Sequence, residues 1–288
     1  MRILVTGSQG QVTRALQEKG GAEIVTLGRP LFDMALDQDP LPLFRQIAPQ
    51  IVVNAAAYTA VDKAESERDL AFAVNERGAG KVAAAAEALG VPVIQLSTDY
   101  VFDGSARRPL REDDPTDPIG VYGASKLAGE RAVAAANPDH VILRTAWVYA
   151  PFGANFLRTM VRLAKDRDEI GVVADQLGTP TSALDIADAI MVVARSGERG
   201  LFHFSAAGGP ASWADFAAEI FLLSAERGGP VARVKKITTA DYPTAAKRPA
   251  WSMLDCSHFR QRFQWTPPDW RDSVRVVMDR LAASGELA

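Results

Sequence analysis

Arg2-Ile3-Leu4-Val5-Thr6-Gly7-Ser8-Gln9-Gly10-Gln11 is the stretch that decides how the rest of the chain is read. Arg2 to Thr6 is a short, mostly apolar run, Gly7 breaks it, and Gln11 to Lys19 has helical composition. The stretch therefore predicts strand, glycine turn and helix. Glycines at 7 and 10 let the backbone come close to a pyrophosphate at the helix N-terminus, where free N–H groups and the helix dipole favour an anion. A third glycine is missing. Thr13 stands in its place, and because that glycine serves helix–strand packing, the change should alter packing more than phosphate contact.

Working outward, Glu23 to Leu27 predicts a second strand. A dinucleotide fold usually carries an acid at its end for the adenosine ribose 2′-hydroxyl, but here the residues are Gly28 and Arg29. An acid would repel a 2′-phosphate and an arginine can hold one, so this position tilts the cofactor towards NADPH, with NADH as the other choice. Phe32 to Asp39 reads as an acidic loop and Pro40 to Ala48 as a proline-started helix. Ile51 to Ala57 reads as a buried parallel strand with a small-residue mouth, followed by a polar turn over Tyr58 to Glu65. Asp69 to Leu89 predicts one long alanine-rich helix, in which Asn75 either bonds a backbone group, orders water towards a lysine, or is solvated. Val91 to Leu96 is another strand, leaving through Ser97-Thr98-Asp99, and ligands of open α/β sheets sit beyond such carboxyl ends. Arg107 to Pro118 is loop-like, a lip to the pocket.

Val121-Tyr122-Gly123-Ala124-Ser125-Lys126-Leu127-Ala128-Gly129-Glu130 comes next. On a helix Tyr122 and Lys126 share a face at i and i+4, placing a phenol beside an ammonium. A neighbouring cation favours the phenolate and should lower the tyrosine pKa, which suits proton transfer in carbonyl reduction. Such a pair alone also reads as a solvated helix surface; its position after the glycine turn and the Ser97-Thr98-Asp99 strand end favours chemistry. His140 to Thr145 is a further strand running into Ala146-Trp147-Val148-Tyr149, with Trp147 either core or pocket wall.

Beyond Pro151 the pattern changes. Asn155 to Lys165 reads as an amphipathic helix and Gly171 to Gly178 as strand and turn. A helix starts at Thr181 to Asp185, with Ser182 and Asp185 at capping-box spacing. Leu201 to Ser205, the capped helix Ser212 to Glu226, the strand Lys235 to Thr238 and a closing helix Trp270 to Ala283 follow. The fold class is α/β, a Rossmann-type doubly wound parallel sheet over 1–150, with a smaller carboxyl-terminal substrate lobe over 151–288 interleaved against it.

Composition narrows the function. The 288 residues are 48% hydrophobic and 23% charged, with a net charge of −3 and no recurring basic block, so no nucleic-acid partner is expected. The single cysteine, Cys256, and the histidines His140, His203 and His258 show no metal-ligand spacing, and no metal site is expected. No signal peptide or 18-residue apolar run is visible, which predicts a cytoplasmic protein without membrane contact.

Taken in order, several segments resemble the extended short-chain dehydrogenase/reductases, and within them the dTDP-4-dehydrorhamnose reductases. They are Val53 to Ala57 through Val61 to Glu65, Ser97 to Phe102, Val121 to Glu130, Arg144 to Tyr149, Asp175 to Thr181, and Arg248-Pro249 with Ser252. The resemblance implies NADPH-dependent reduction of the 4-keto group of dTDP-4-dehydro-β-L-rhamnose, the last step of dTDP-L-rhamnose synthesis. It implies catalytic roles for Thr98, Tyr122 and Lys126, and sugar contacts for Thr98, Asp99 and Trp147. Beside Gly7 and Arg29, it puts Gly10, Gln11, Val12, Asp33, Met34, Ala57, Tyr58, Thr59 and Leu96 at the cofactor, together with Tyr122 and Lys126. The small-molecule partner is a nucleotide sugar. Some relatives use Mg²⁺ at a dimer contact, which no carboxylate cluster here matches, and homodimer formation stays open. Two other classes compete: a reductase of another nucleotide-4-keto sugar, and a non-catalytic regulatory subunit like the methionine adenosyltransferase β-subunit. The intact Thr98, Tyr122 and Lys126 argue against the latter.

Overall fold

The computed structural model describes residues 1–287. The first half runs β1 (Ile3–Thr6), α1 (Gln11–Gly20), β2 (Ile24–Leu27), α2 (Leu41–Ile47), β3 (Ile51–Asn54), α3 (Val61–Ala64), α4 (Arg68–Phe72), α5 (Ala79–Glu87), β4 (Val93–Thr98), α6 (Val121–Ala136) and β5 (His140–Thr145). It continues through β6 (Val148–Tyr149), α7 (Phe156–Ala164), β7 (Glu169–Val173), β8 (Leu177–Gly178), β9 (Thr181–Ser182), α8 (Ala183–Ser196) and β10 (Gly200–His203). Then come β11 (Ala211–Ser212), α9 (Trp213–Glu226), β12 (Arg233–Ile237), α10 (Ser257–Phe263) and α11 (Trp270–Ala283).

Six strands form one parallel sheet in the order β2-β1-β3-β4-β5-β10. Their side chains alternate, so each strand feeds two cores. Ile3, Val5, Ile51, Val53, Ile94 and Leu96 pack with Leu16 of α1 and Ile186 and Ile190 of α8. Leu4, Val52 and Val93 face the other way, against Phe44, Val82, Ala83 and Val133 of α2, α5 and α6. Both faces are covered, which is why these strands read as continuous apolar runs. The winding reverses between β1 and β3, and a ligand crevice opens there, beyond the strands' carboxyl ends. Among the described residues no strand lies outside β2, and the chain after it runs through turns from Gly28 to Asp39.

The chain beyond Pro151 supplies the sixth strand, β10, and also builds a third core. In it Leu157 and Met160 of α7 meet Phe216 and Ile220 of α9 and Val274 and Val277 of α11. A reciprocal cap starts α9: Ser212 Oγ accepts from Asp215 N at 3.0 Å, and Asp215 Oδ2 accepts from Ser212 N at 3.1 Å.

Four local expectations change. β3 ends at Asn54, not Ala57, because the Asn54 side chain accepts from Thr6 Oγ1 at 2.5 Å and donates to Gln95 Oε1 at 2.6 Å, and the backbone then turns away. The polar turn after it contains the single-turn helix α3. The long helix is interrupted between α4 and α5 by a π-helical turn over Ala73–Gly78. At α8 Ser182 Oγ does cap, accepting from Leu184 N at 3.2 Å, but Asp185 does not close a box. Its carboxylate instead accepts from Ser273 Oγ of α11 at 2.6 Å, joining two helices. Among the described residues no helix is long and apolar enough to cross a membrane.

Candidate active site

At the carboxyl ends of β1, β3 and β4 lies a cleft of about 960 Å³. Every residue expected at cofactor, sugar or chemistry lines it: Gly7, Gly10, Gln11, Val12, Arg29, Asp33, Met34, Ala57, Tyr58, Thr59, Leu96, Thr98, Asp99, Tyr122, Lys126 and Trp147.

One end of the cleft is a turn of backbone. Gly7 has φ +85°, which favours glycine, and its N–H donates to Leu27 O at 2.7 Å. Gly10 caps α1 without a side-chain bond, and no acid stands in the helix's first turn, so the leading N–H groups have no side-chain acceptor there. Gly28 explains the missing acid sterically. A β-carbon on it would lie 3.0 Å from Ser8 N and 3.1 Å from Ser8 Oγ, crowding the glycine turn. Arg29 stands exposed on the rim, while Asp33 spends one carboxylate oxygen on the Ala35 N–H at 2.9 Å.

In the middle are Thr98, Tyr122 and Lys126. Thr98 ends β4, accepts from Tyr100 N at 3.2 Å and donates to Asp99 Oδ1 at 3.0 Å. Tyr122 and Lys126 stand one turn apart near the start of α6, whose Val121 N–H donates to Glu65 Oε1 at 2.9 Å. The Tyr122 ring meets Tyr100 edge-on, centroids 5.5 Å apart. Lys126 Nζ donates to Leu96 O at 2.7 Å, and burial pulls its pKa down to about 8 against the opposing pull of Glu130.

The expected lowering of the Tyr122 pKa is not what the site does. Burial pushes the phenol up to about 12; a hydrogen bond with Thr98 opposes the rise and the Asp99 charge adds to it. Lys126 is turned to the Leu96 carbonyl, so desolvation of the phenolate outweighs any help from the ammonium. Burial likewise lifts Asp99 to about 6, partly offset by the hydrogen bond that Thr98 donates.

Behind the pair, Glu130 accepts from Ser97 Oγ at 2.5 Å and from Arg144 Nε and Nη2 at 2.8 and 2.7 Å, tying α6 to β4 and β5. Asn75 is buried and bonds the backbone, the first of its three expected readings. Its Oδ1 accepts from Tyr58 N at 2.8 Å, and its Nδ2 donates to Tyr58 O at 3.1 Å and to Ser125 Oγ at 2.9 Å. Ser125 Oγ donates in turn to Tyr122 O at 2.8 Å. Sequence reasoning missed two glycines of α6: a β-carbon on Gly123 would overlap the Tyr100 carbonyl oxygen, and one on Gly129 the Asn75 carbonyl oxygen. Their spacing around Tyr122 and Lys126 was the available signal.

The other end of the cleft is aromatic. Trp147 lines it in a left-handed conformation, φ +45°, with its ring edge against Gly178, where a β-carbon would lie 2.6 Å from Cε2. Its indole stacks on Trp213, centroids 3.6 Å apart and planes 4° from parallel, and Phe156 tilts against Trp213 at 4.8 Å. Trp213 and Phe156 were not anticipated, because only the fold brings α7 and α9 to β6. Among the described residues no group of three or more His, Cys, Asp or Glu side chains could hold a metal ion.

A parallel sheet with a glycine turn at its first helix, and a Tyr–Lys pair beside a strand-end threonine, define a nicotinamide-dependent short-chain dehydrogenase/reductase. Comparison with known proteins narrows the class. The family model described as RmlD substrate binding domain matches residues 1–283. A dTDP-4-dehydrorhamnose reductase of Sinorhizobium fredii is 51% identical over 297 residues, covering 100% of both chains. The Escherichia coli dTDP-4-dehydrorhamnose reductase is 41% identical, with 98% of each chain covered. Among solved structures, a Clostridium acetobutylicum dTDP-4-dehydrorhamnose reductase superposes with TM-score 0.93 at 39% identity, covering 98% of this chain and 99% of its own. A Bacillus anthracis dTDP-4-dehydrorhamnose reductase in complex with NADP gives 0.92 at 35%, covering 97% and 99%. The chain belongs to the RmlD family of dTDP-4-dehydrorhamnose reductases.

Proposed function

We propose that the protein reduces the 4-keto group of dTDP-4-dehydro-β-L-rhamnose to the hydroxyl of dTDP-L-rhamnose with NADPH, the last step of dTDP-rhamnose synthesis. The observation that carries this reading is the convergence of Thr98, Tyr122 and Lys126 in one cleft of a member of that family. The glycine turn and the uncapped start of α1 fit a dinucleotide pyrophosphate, and Arg29 on the rim fits a 2′-phosphate. When bound, the nicotinamide supplies the hydride.

The chain's own residues do the rest. Thr98 orients the ketone oxygen between its hydroxyl and the phenol. Tyr122 donates the proton that neutralises the oxygen as negative charge develops there. A phenol with a raised pKa is fully protonated at neutral pH, so it arrives armed as an acid and releases its proton only to a strong base such as the nascent alkoxide. Lys126, still mostly cationic at pH 7, holds the cofactor ribose and favours the phenolate left behind. Asp99 and Trp147 contact the sugar. A soluble nucleotide sugar and a soluble cofactor make this a cytoplasmic activity, with Phe156, Trp213 and Phe216 of the carboxyl-terminal lobe completing the sugar-nucleotide side.

The test is to mix the purified protein with NADPH and dTDP-4-dehydrorhamnose and follow loss of reduced-nicotinamide absorbance. Turnover with production of dTDP-L-rhamnose is expected. Turnover only with a different nucleotide-4-keto sugar would reassign the substrate, and none with any would remove the enzyme reading.

A further inference from the structure

Thr13, which stands in the place of the missing third glycine, is more than a packing substitute. It is 1% exposed, and its Oγ1 has no hydrogen-bond partner. Buried hydroxyls almost always find a partner, and one left alone is a standing cost to the fold. Its surroundings show where the partner belongs. A β-carbon placed on Gly10 would lie 3.5 Å from Thr13 Oγ1, and one on Gly7 would lie 3.7 Å away. The hydroxyl therefore lies at the floor of the glycine turn, beside both glycines and Ala56, and Thr13 lines the cleft. Thr13 is also the third residue of α1, whose leading N–H groups meet no side-chain acceptor. An unpartnered O–H and the positive end of a helix dipole converge on one spot, which selects an anionic oxygen over a neutral ligand.

We infer that Thr13 Oγ1 donates a hydrogen bond to the pyrophosphate of the bound nicotinamide cofactor. The inference rests on the reading of this cleft as the nicotinamide site, and adds a cofactor ligand that the glycine pattern does not supply. A glycine at position 13 would give close helix–strand packing and no donor. Threonine fits the same place because its side chain is accommodated at 1% exposure, and it brings a hydroxyl with it. The contact is to the pyrophosphate, which NADPH and NADH share, so Thr13 strengthens both and does not discriminate between them. Arg29, on the rim, is the residue that tells them apart.

The experiment uses the full chain with Thr13→Val, which keeps the branched shape and removes the hydroxyl, and Thr13→Ser, which keeps the hydroxyl. NADPH, NADH and adenosine 2′-monophosphate are titrated against each protein, following intrinsic tryptophan fluorescence or heat. The last probe carries the 2′-phosphate and no pyrophosphate. Thr13→Val is expected to weaken NADPH and NADH by the same factor, roughly 10-fold for a lost hydrogen bond to a charged group. It should leave adenosine 2′-monophosphate at wild-type affinity, and Thr13→Ser should stay within about 2-fold of wild type for all three. NADPH binding equally tight in Thr13→Val overturns the assignment. So does an equal loss for adenosine 2′-monophosphate, which would mean that the turn itself had deformed. Wild-type protein that binds neither dinucleotide defeats the nicotinamide reading of the cleft, and with it this inference, whereas an unchanged Thr13→Val affinity beside normal wild-type binding defeats only the role of Thr13.

Discussion

The two ends of the cleft are built from different materials. Where β1 meets α1 the wall is backbone: two glycines, one of them at positive φ, and the bare N-terminus of a helix. Where β6 faces α9 the wall is side chain: Trp147 stacked on Trp213, with Phe156 against them. A backbone wall recognises what all dinucleotides share, and its whole specification fits in one contiguous stretch. An aromatic wall is assembled from segments far apart in the chain, and its specificity depends on how three elements pack. The first kind of site is legible in a sequence; the second becomes legible only in a fold.

The central residues belong to neither end, and altering them should have the largest effect. Tyr122→Phe keeps the ring and removes the proton, so turnover should drop roughly 10²–10⁴-fold while NADPH titrates as in the wild type. Unchanged kcat would discard the acid role. Next, the ends should separate. Trp213→Ala removes half of the stack and should raise KM for the sugar nucleotide roughly 5-fold to 10-fold with NADPH affinity intact. Parallel losses for both ligands would mean that Trp213 supports the whole lobe and is not specifically a wall. A weaker effect is expected at the rim. Arg29→Ala should lower the ratio of kcat/KM for NADPH to that for NADH by about 2-fold to 5-fold, since an exposed single ion pair is weak. A ratio that holds would move the choice of cofactor elsewhere.

The smallest effect concerns the seam behind both ends. His203 of β10 is buried; its Nδ1 donates to Leu110 O at 3.0 Å, and Nε2 faces Arg144 Nη1 at 3.4 Å. Burial, then the neighbouring guanidinium, drive its pKa down to about 3. The unfolded chain takes up a proton near pH ~6.5 that the folded chain refuses. Stability should therefore fall as pH drops through the window from about 6.5 towards 3. Thermal midpoints between pH 7.5 and 5 should fall less steeply for His203→Gln, and identical slopes would show that other groups govern the acid limb.

Particular residues show why some of this was legible and some not. The glycine turn, the Tyr122–Lys126 spacing and Trp147 at a strand end depend on local order, and the fold gathers all of them into one cleft. The direction of the Tyr122 shift could not be read, because it depends on the desolvation that tertiary packing imposes and on Lys126 turning to Leu96. The early end of β3 depends on an Asn54 side chain bridging to β1 and β4. Asp185 left its capping box for a serine of α11, a partner invisible to helix-local reasoning.

The π-helical turn at Ala73–Gly78 has a consequence for how this gene can change length. One residue more than an α-helix needs is stored there, which lets Asn75 reach Tyr58 and bring its carbonyl against Gly129. Removing one codon from that turn would return it to α-helical winding and keep Val82, Ala83 and Ala86 on the sheet, because the wide turn already absorbs the extra residue. An in-frame deletion there should leave the fold standing and cost the Asn75 bonds to Tyr58 that shape the cleft wall.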